Sequence, residues 1–140
     1  MLGLVFTACG DDKDEPEVRK ALNLESVHEE DGSYFVFDID INKDKSTIYM
    51  YKIQFAPGAP KMDLRVNVPV SLNQSSNTYT LSGTGLVADM YMSSTDKWVP
   101  MADEQYKLNN LTSTVNPNTK VYSISFDAHG GHFEKSGKLK

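Results

Sequence analysis

Three features of the sequence predict an all-β domain. The expected architecture is a single antiparallel meander, curled into a closed or nearly closed barrel of about eight strands, with a β-sandwich as the alternative. Apolar and polar residues alternate with period two along several segments. Turn-forming residues punctuate those segments at short intervals. The body is rich in Val, Ile, Thr, Tyr and Phe, which suit a pleated, half-buried surface, and no helical pattern of ten or more residues stands out.

Nine segments carry strand character: 21–28, 33–41, 47–55, 62–72, 78–83, 86–92, 105–115, 120–128 and 132–139. In the second, Phe35, Phe37, Ile39 and Ile41 share a face, with Asp38 and Asp40 opposite. In the third, Tyr49, Tyr51, Ile53 and Phe55 repeat the pattern. In the fourth, Leu64, Val66, Val68, Val70 and Leu72 oppose Asp63, Arg65, Asn67 and Ser71. Pro69 cannot donate to a ladder, so that strand is expected at an edge or bulged. In the eighth, Tyr122, Ile124, Phe126 and Ala128 face away from Ser123, Ser125 and Asp127. Turns are expected at Asp31-Gly32, Asn42-Lys43-Asp44, Asn73 to Asn77, Asn116-Pro117-Asn118 and Gly130-Gly131. The longest irregular stretch, 93–104, has room for a short helical turn. Strands joined by short connections are expected to pair in order. The inward set is then Phe37, Ile39, Tyr51, Ile53, Val66, Val68, Leu81, Ile124 and Phe126, bulky enough to fill a small barrel.

The N-terminus reads as an address. Phe6-Thr7-Ala8-Cys9 has the form of a lipoprotein signal box: a large apolar residue, two small ones, then the cysteine to be acylated. Residues 1–8 are expected to be the remnant of a signal peptide, the true start lying upstream or the gene being truncated. Five acids and one lysine between Gly10 and Glu17 place −4 of the net −5 there, so 9–19 reads as a lipidated cysteine and a hydrated tether. Residues 20–140 form the β domain. An acidic run directly after the anchoring cysteine resembles lipoproteins of Bacteroidetes. That resemblance implies display on the outer surface of the outer membrane, the periplasmic side being the other possibility. The stretch from Tyr79-Thr-Leu-Ser-Gly83 through Tyr122-Ser-Ile-Ser-Phe126 to Gly137-Lys-Leu139 resembles the calycin-like β-barrel lipoproteins of the same group. The resemblance covers most of residues 20–140 and implies a fold; it carries over no catalytic or binding residues.

Composition narrows the partners. One cysteine excludes an internal disulfide. The body is nearly neutral and has no basic stripe, so nucleic acid is not an expected partner. No run approaches the ~18 apolar residues of a membrane-spanning helix; contact with the membrane is expected through the lipid on Cys9.

Four constellations bear on chemistry. In Asp127-Ala-His129-Gly-Gly-His132-Phe-Glu134, a Gly130-Gly131 turn would set His129 opposite His132, with Asp127 and Glu134 two positions down. Such a set suits zinc, but the face is solvent-exposed by default and no metal is assigned. Asp38-Ile-Asp40-Ile-Asn42-Lys-Asp44 begins like a calcium loop, yet lacks its glycine and its closing glutamate. Met90, Met92, Trp98 and Met101 form a soft apolar cluster, suited to packing or to a ligand at an open barrel end. His28, His129 and His132 belong to no nucleophile motif, and Ser82-Gly-Thr-Gly85 is a bend rather than a phosphate loop. No catalytic residue and no cofactor are assigned. The expected function is a non-catalytic binding module for a small or apolar ligand, with Met90, Met92, Trp98 and Met101 as its site. The alternative is an accessory lipoprotein contacting another envelope protein or a host glycan.

Overall fold

The computed structural model describes residues 22–40, 45–54, 58 and 60–140. Cys9, the acidic tether, the expected turn at 42–44 and Phe55 lie outside them. The described strands are β1 (Leu22–Glu25), β2 (Tyr34–Asp40), β3 (Lys45–Ile53), β4 (Met62–Asn73), β5 (Thr78–Gly83), β6 (Asp89–Met92), β7 (Lys97–Pro100), β8 (Asn109–Asn116), β9 (Val121–Ala128) and β10 (Gly131–Lys138). One turn of 3-10 helix, Glu104–Tyr106, begins at the last residue of the stretch where a helical turn is expected.

All pairings are antiparallel, and the sheet runs β1-β2-β3-β4-β5-β8-β9-β10. It curls into an open half-barrel. Among the described residues its two ends meet where Ser26 bridges Leu139. There the Val27 N–H donates to the Lys138 carbonyl at 2.9 Å, and the Lys140 N–H to the Glu25 carbonyl at 2.9 Å.

The pairing is not wholly in chain order. β5 pairs with β8, while β6 and β7 form a hairpin that leaves the path and joins β4 at Leu64 and Arg65. The expected strand 86–92 divides: Leu86 makes an isolated bridge to Leu108, and β6 begins at Asp89. β7 falls inside the stretch expected to be irregular. Its four residues are too few to show an alternation. Pro69 lies on an interior strand, not an edge. It ends the β3 ladder opposite Lys45, and β5 pairing starts at Val70. The proline thus sits where β4 changes partner.

The period of two sorts the faces. Phe35, Phe37, Ile39, Ile48, Met50, Leu64, Leu81, Leu108 and Phe126 are wholly inaccessible to solvent. Burying each such side chain contributes about 1.5–3 kcal/mol. Phe126 stacks on Phe133 across the β9–β10 pair at 4.9 Å, and Tyr122 leans on Phe35 and Phe37 at 5.5 and 5.7 Å. Gly137 permits this: a Cβ there would come within 3.1 Å of the Tyr122 ring.

β3 is where the expected inward set fails. Lys52 adopts φ 55°, and the β3–β4 register shifts between Met50 and Ile53. This bulge adds a residue, so Met50 and Ile53 both point inward while Tyr49 and Tyr51 stay half-exposed outside. Tyr51 is therefore not core. Unbroken alternation would require Tyr51 and Ile53 to share a face, and the bulge separates them.

Candidate functional site

The outer face of β2, β3, β4, β6 and β7 carries a continuous row of rings. Tyr34 on β2 stands opposite Tyr51 on β3, and their rings stack at 4.7 Å. His28, in the turn before β2, lies flat on the far side of Tyr34 at 3.8 Å. Tyr51 and Tyr49, two residues apart, keep their planes within 6° at 6.2 Å. Beyond β4 the hairpin continues the row: Trp98 pairs with Tyr91 across β6–β7. Trp98 meets Tyr49 edge-on at 6.1 Å and Tyr91 at 5.4 Å. Arg65, on the strand between, lays its guanidinium over Trp98 at 4.7 Å and donates through Nε to Asp89 Oδ2 at 2.9 Å. Arg65 pairs with Tyr49 on one side and Asp89 on the other, so the sheet register itself builds this junction.

The polar ends of these rings are also held. The Tyr91 hydroxyl donates to Asp96 Oδ1, and this bond raises its phenol above the ordinary range. The Tyr51 phenol is raised chiefly by partial burial, and further by the neighbouring Tyr34 and Tyr49. His28 Nε2 is hydrogen-bonded to Glu25 Oε2 at 2.9 Å, which together with Lys140 holds that carboxyl below its usual value. Mutual stacking leaves these side chains little rotamer freedom, so a ligand would order few of them on binding.

Between the β1–β2 connection and Tyr91 the surface dips into a cleft of about 590 Å³, lined by Asp31, Lys52, Lys61, Met62, Asp63, Met90 and Tyr91. Asp63 lies at the β3 bulge, where its Oδ1 accepts the Lys52 N–H at 2.9 Å. The Lys61 ammonium reaches the Asp31 carbonyl at 2.8 Å. Asp31 in turn is kept below its usual range by the hydroxyl and N–H of Ser33. The cleft thus combines ring edges and thioethers with donors and acceptors of both charges.

The four residues expected to form a rim site are placed differently from one another. Trp98 is central to the outer row. Met90 lies opposite Leu64 on the inner side of β6, and both it and Met101 pack against the core. Met92 closes the hairpin opposite Lys97. Tyr34, Tyr49, Tyr51 and Tyr91, with His28 and Arg65, are the members the sequence reading missed. The spacing Tyr49-x-Tyr51 is visible in the sequence, but unbroken alternation puts it on the same face as Ile53, which is inward.

The histidine cluster is also rearranged. The β9–β10 turn uses His129 (φ 54°) and Gly130 (φ 74°) as its central pair, not Gly130 and Gly131. Both angles are positive, as a type I′ hairpin requires. This register sets Phe133 opposite Phe126 and His132 directly opposite Asp127. His132 Nδ1 is 2.7 Å from Asp127 Oδ1, and its Nε2 is 3.4 Å from Glu134 Oε1. His129 instead stacks on Tyr106 at 5.4 Å. Asp127 also accepts from Asn110 Nδ2 at 3.0 Å; that bond first, and His132 second, hold its carboxyl low. The Asp127 contact raises His132. An open groove of about 480 Å³ runs beside them, bordered by Lys107 and Asn109. Among the described residues no group of three or more His, Cys, Asp or Glu is placed to hold a metal ion. Asp38 and Asp40 of the calcium-like stretch lie on β2, and its remainder falls outside the described residues.

Comparison with protein-family models, with curated proteins and with solved structures gives no match for this chain.

Proposed function

We propose that the chain is a lipid-anchored, non-catalytic binding module of the cell envelope, and that its ligand lies on the outer face of the half-barrel. The row His28, Tyr34, Tyr51, Tyr49, Trp98, Tyr91 carries the reading. Large aromatic side chains on a solvent-facing sheet offer wide, rigid contact area at low conformational cost, and Tyr and Trp dominate recognition surfaces for that reason. The concave side of the half-barrel supports an external site, since bulky side chains with no solvent exposure pack it. The lipid anchor rests on the Phe6-Thr7-Ala8-Cys9 box and the acidic residues after it.

Trp98 is the single tryptophan, so its emission reports on this face alone. The test is titration of the purified domain with four ligand classes: neutral oligosaccharides, polyanionic oligosaccharides, unstructured peptides and fatty acids. At least one class should shift Trp98 emission saturably, and Tyr51→Ala should weaken that binding at least tenfold. If no class moves the emission, or if Tyr51→Ala binds as well as the parent, the outer face is not the site.

A further inference from the structure

β1 and β10 are the end strands of the sheet, each laddered along one side. Two backbone hydrogen bonds join them, from Val27 N–H to the Lys138 carbonyl and from Lys140 N–H to the Glu25 carbonyl, both at 2.9 Å. One carboxylate reinforces the joint from outside. Glu25 Oε2 accepts from Lys140 Nζ at 3.0 Å and lies 2.9 Å from His28 Nε2. All three side chains reach solvent, so these contacts are weak and are screened by salt.

Beneath the joint lies an unfavourable feature. Tyr122 on β9 stands opposite Gly137 and reaches under β10 to the Phe35 ring of β2 at 5.5 Å. A Cβ on Gly137 would come within 3.3 Å of the Tyr122 hydroxyl, and Ser26 faces that hydroxyl from the β1 side. The oxygen is therefore held directly under the seam. It is closed off from solvent and has no hydrogen-bond partner. Ser26 Oγ is already engaged, accepting the Phe35 N–H at 2.8 Å. Among the described residues no other buried side-chain polar atom is left in this condition. A hydroxyl removed from water without a partner opposes the state that buries it.

We infer that the seam is a latch, which opens locally by parting β1 from β10 while β1 stays paired to β2 and β10 to β9. Two hydrogen bonds and the Glu25 contacts favour the closed form. Hydration of the Tyr122 hydroxyl favours the open one. Both sets are small, so the balance between the forms shifts with a single side chain or with salt. Opening adds the Glu25 carbonyl and the Val27 N–H to the free edge of β1, and the Lys138 carbonyl to that of β10. The open form thus presents longer unpaired strand edges than the closed one. The latch also touches the outer row, because the same His28 that meets Glu25 stacks on Tyr34 at 3.8 Å. It is a property of the chain itself and stands whether or not the outer face binds a ligand.

The test is amide hydrogen exchange in the purified chain, resolved by NMR. Val27 and Lys140 report on the seam. The Ser26 N–H, bonded to the Phe35 carbonyl at 2.8 Å, reports on the β1–β2 pairing, and Ile48 and Ile124 report on interior strands. Val27 and Lys140 should exchange faster than the other three, at a rate that low urea leaves unchanged. Tyr122→Phe keeps the ring and removes the hydroxyl, so it should slow Val27 and Lys140 by about threefold or more and leave Ser26 as it was. Glu25→Gln keeps the size and removes the charge, so it should speed both by about threefold, and salt at about 0.5 M should act in the same direction. If Tyr122→Phe leaves the seam amides unchanged or speeds them, the hydroxyl does not oppose closure and the latch is overturned. If Ser26 accelerates together with Val27 and Lys140 in Glu25→Gln, β1 leaves β2 as well and the seam is not a separate joint. Exchange of all five amides in step would mean global unfolding and would likewise overturn the inference.

Discussion

Met50 and Tyr51 are adjacent on β3 and should respond to truncation very differently. Met50 is wholly inaccessible to solvent among the core side chains. Replacing a buried methionine by alanine removes the transfer energy of its methylenes and sulfur and leaves a cavity, a loss of about 2–5 kcal/mol. Tyr51 is half-exposed and touches Tyr34 at 4.7 Å and Tyr49 at 6.2 Å. Such ring pairs contribute about 0.5–1.5 kcal/mol each, and the second is distant, so Tyr51→Ala should cost roughly 1–2 kcal/mol. For a domain near 100 residues each kcal/mol moves the thermal midpoint by about 4–8 °C. Met50→Ala should therefore lower it by at least about 8 °C, and Tyr51→Ala by clearly less. Urea unfolding of both variants, analysed at unchanged slope, gives the same comparison. Ile48→Ala against Tyr49→Ala repeats it one turn of the pleat earlier. If Tyr51→Ala proves as costly as Met50→Ala, Tyr51 packs in the core and the reasoning from the Lys52 bulge to an outer row fails.

Three further outcomes are expected. Gly137→Val should destabilise by about 1–3 kcal/mol, because the new side chain meets the Tyr122 ring against which β10 packs; thermal unfolding checks it, and an unchanged midpoint would contradict the contact. His132 should titrate above an ordinary histidine, and Asp127→Asn should bring it back down, as read from ring-proton shifts against pH. Since its folded value is raised, the contribution of this pair is complete below the unfolded histidine pKa and disappears as pH rises through the folded one. The depressed Asp127 acts in the other direction, its contribution being lost as pH falls through its folded value. Both groups are exposed, so the effect should be visible in the titration and small in overall stability. Finally, the chain expressed behind a complete lipoprotein signal should partition into detergent, and Cys9→Ser should release it to the aqueous phase; equal partitioning would argue against the anchor.

The sequence by itself determined the class of fold and most of the core. Side-chain direction in a strand follows from chain position alone, so the alternation of Phe35, Phe37 and Ile39, of Leu64, Val66 and Val68, and of Ile124 and Phe126 names their buried face without knowledge of the partners. The exposed face of the His132 hairpin was legible for the same reason. Tertiary structure decided what a period of two cannot encode. One extra residue at Lys52 put Tyr51 outside while keeping Ile53 inside, because a bulge resets parity and leaves no compositional mark of its own. The His129–Gly130 turn was decided by which register sets Phe133 against Phe126, a choice between pairings that share the same faces. The half-barrel's open seam and the placing of the β6–β7 hairpin on β4 depend on contacts between residues distant in sequence. The aromatic row follows from all of these together. Its members come from the turn before β2 and from four separate strands, and only the lateral order and register of those strands bring the rings into line.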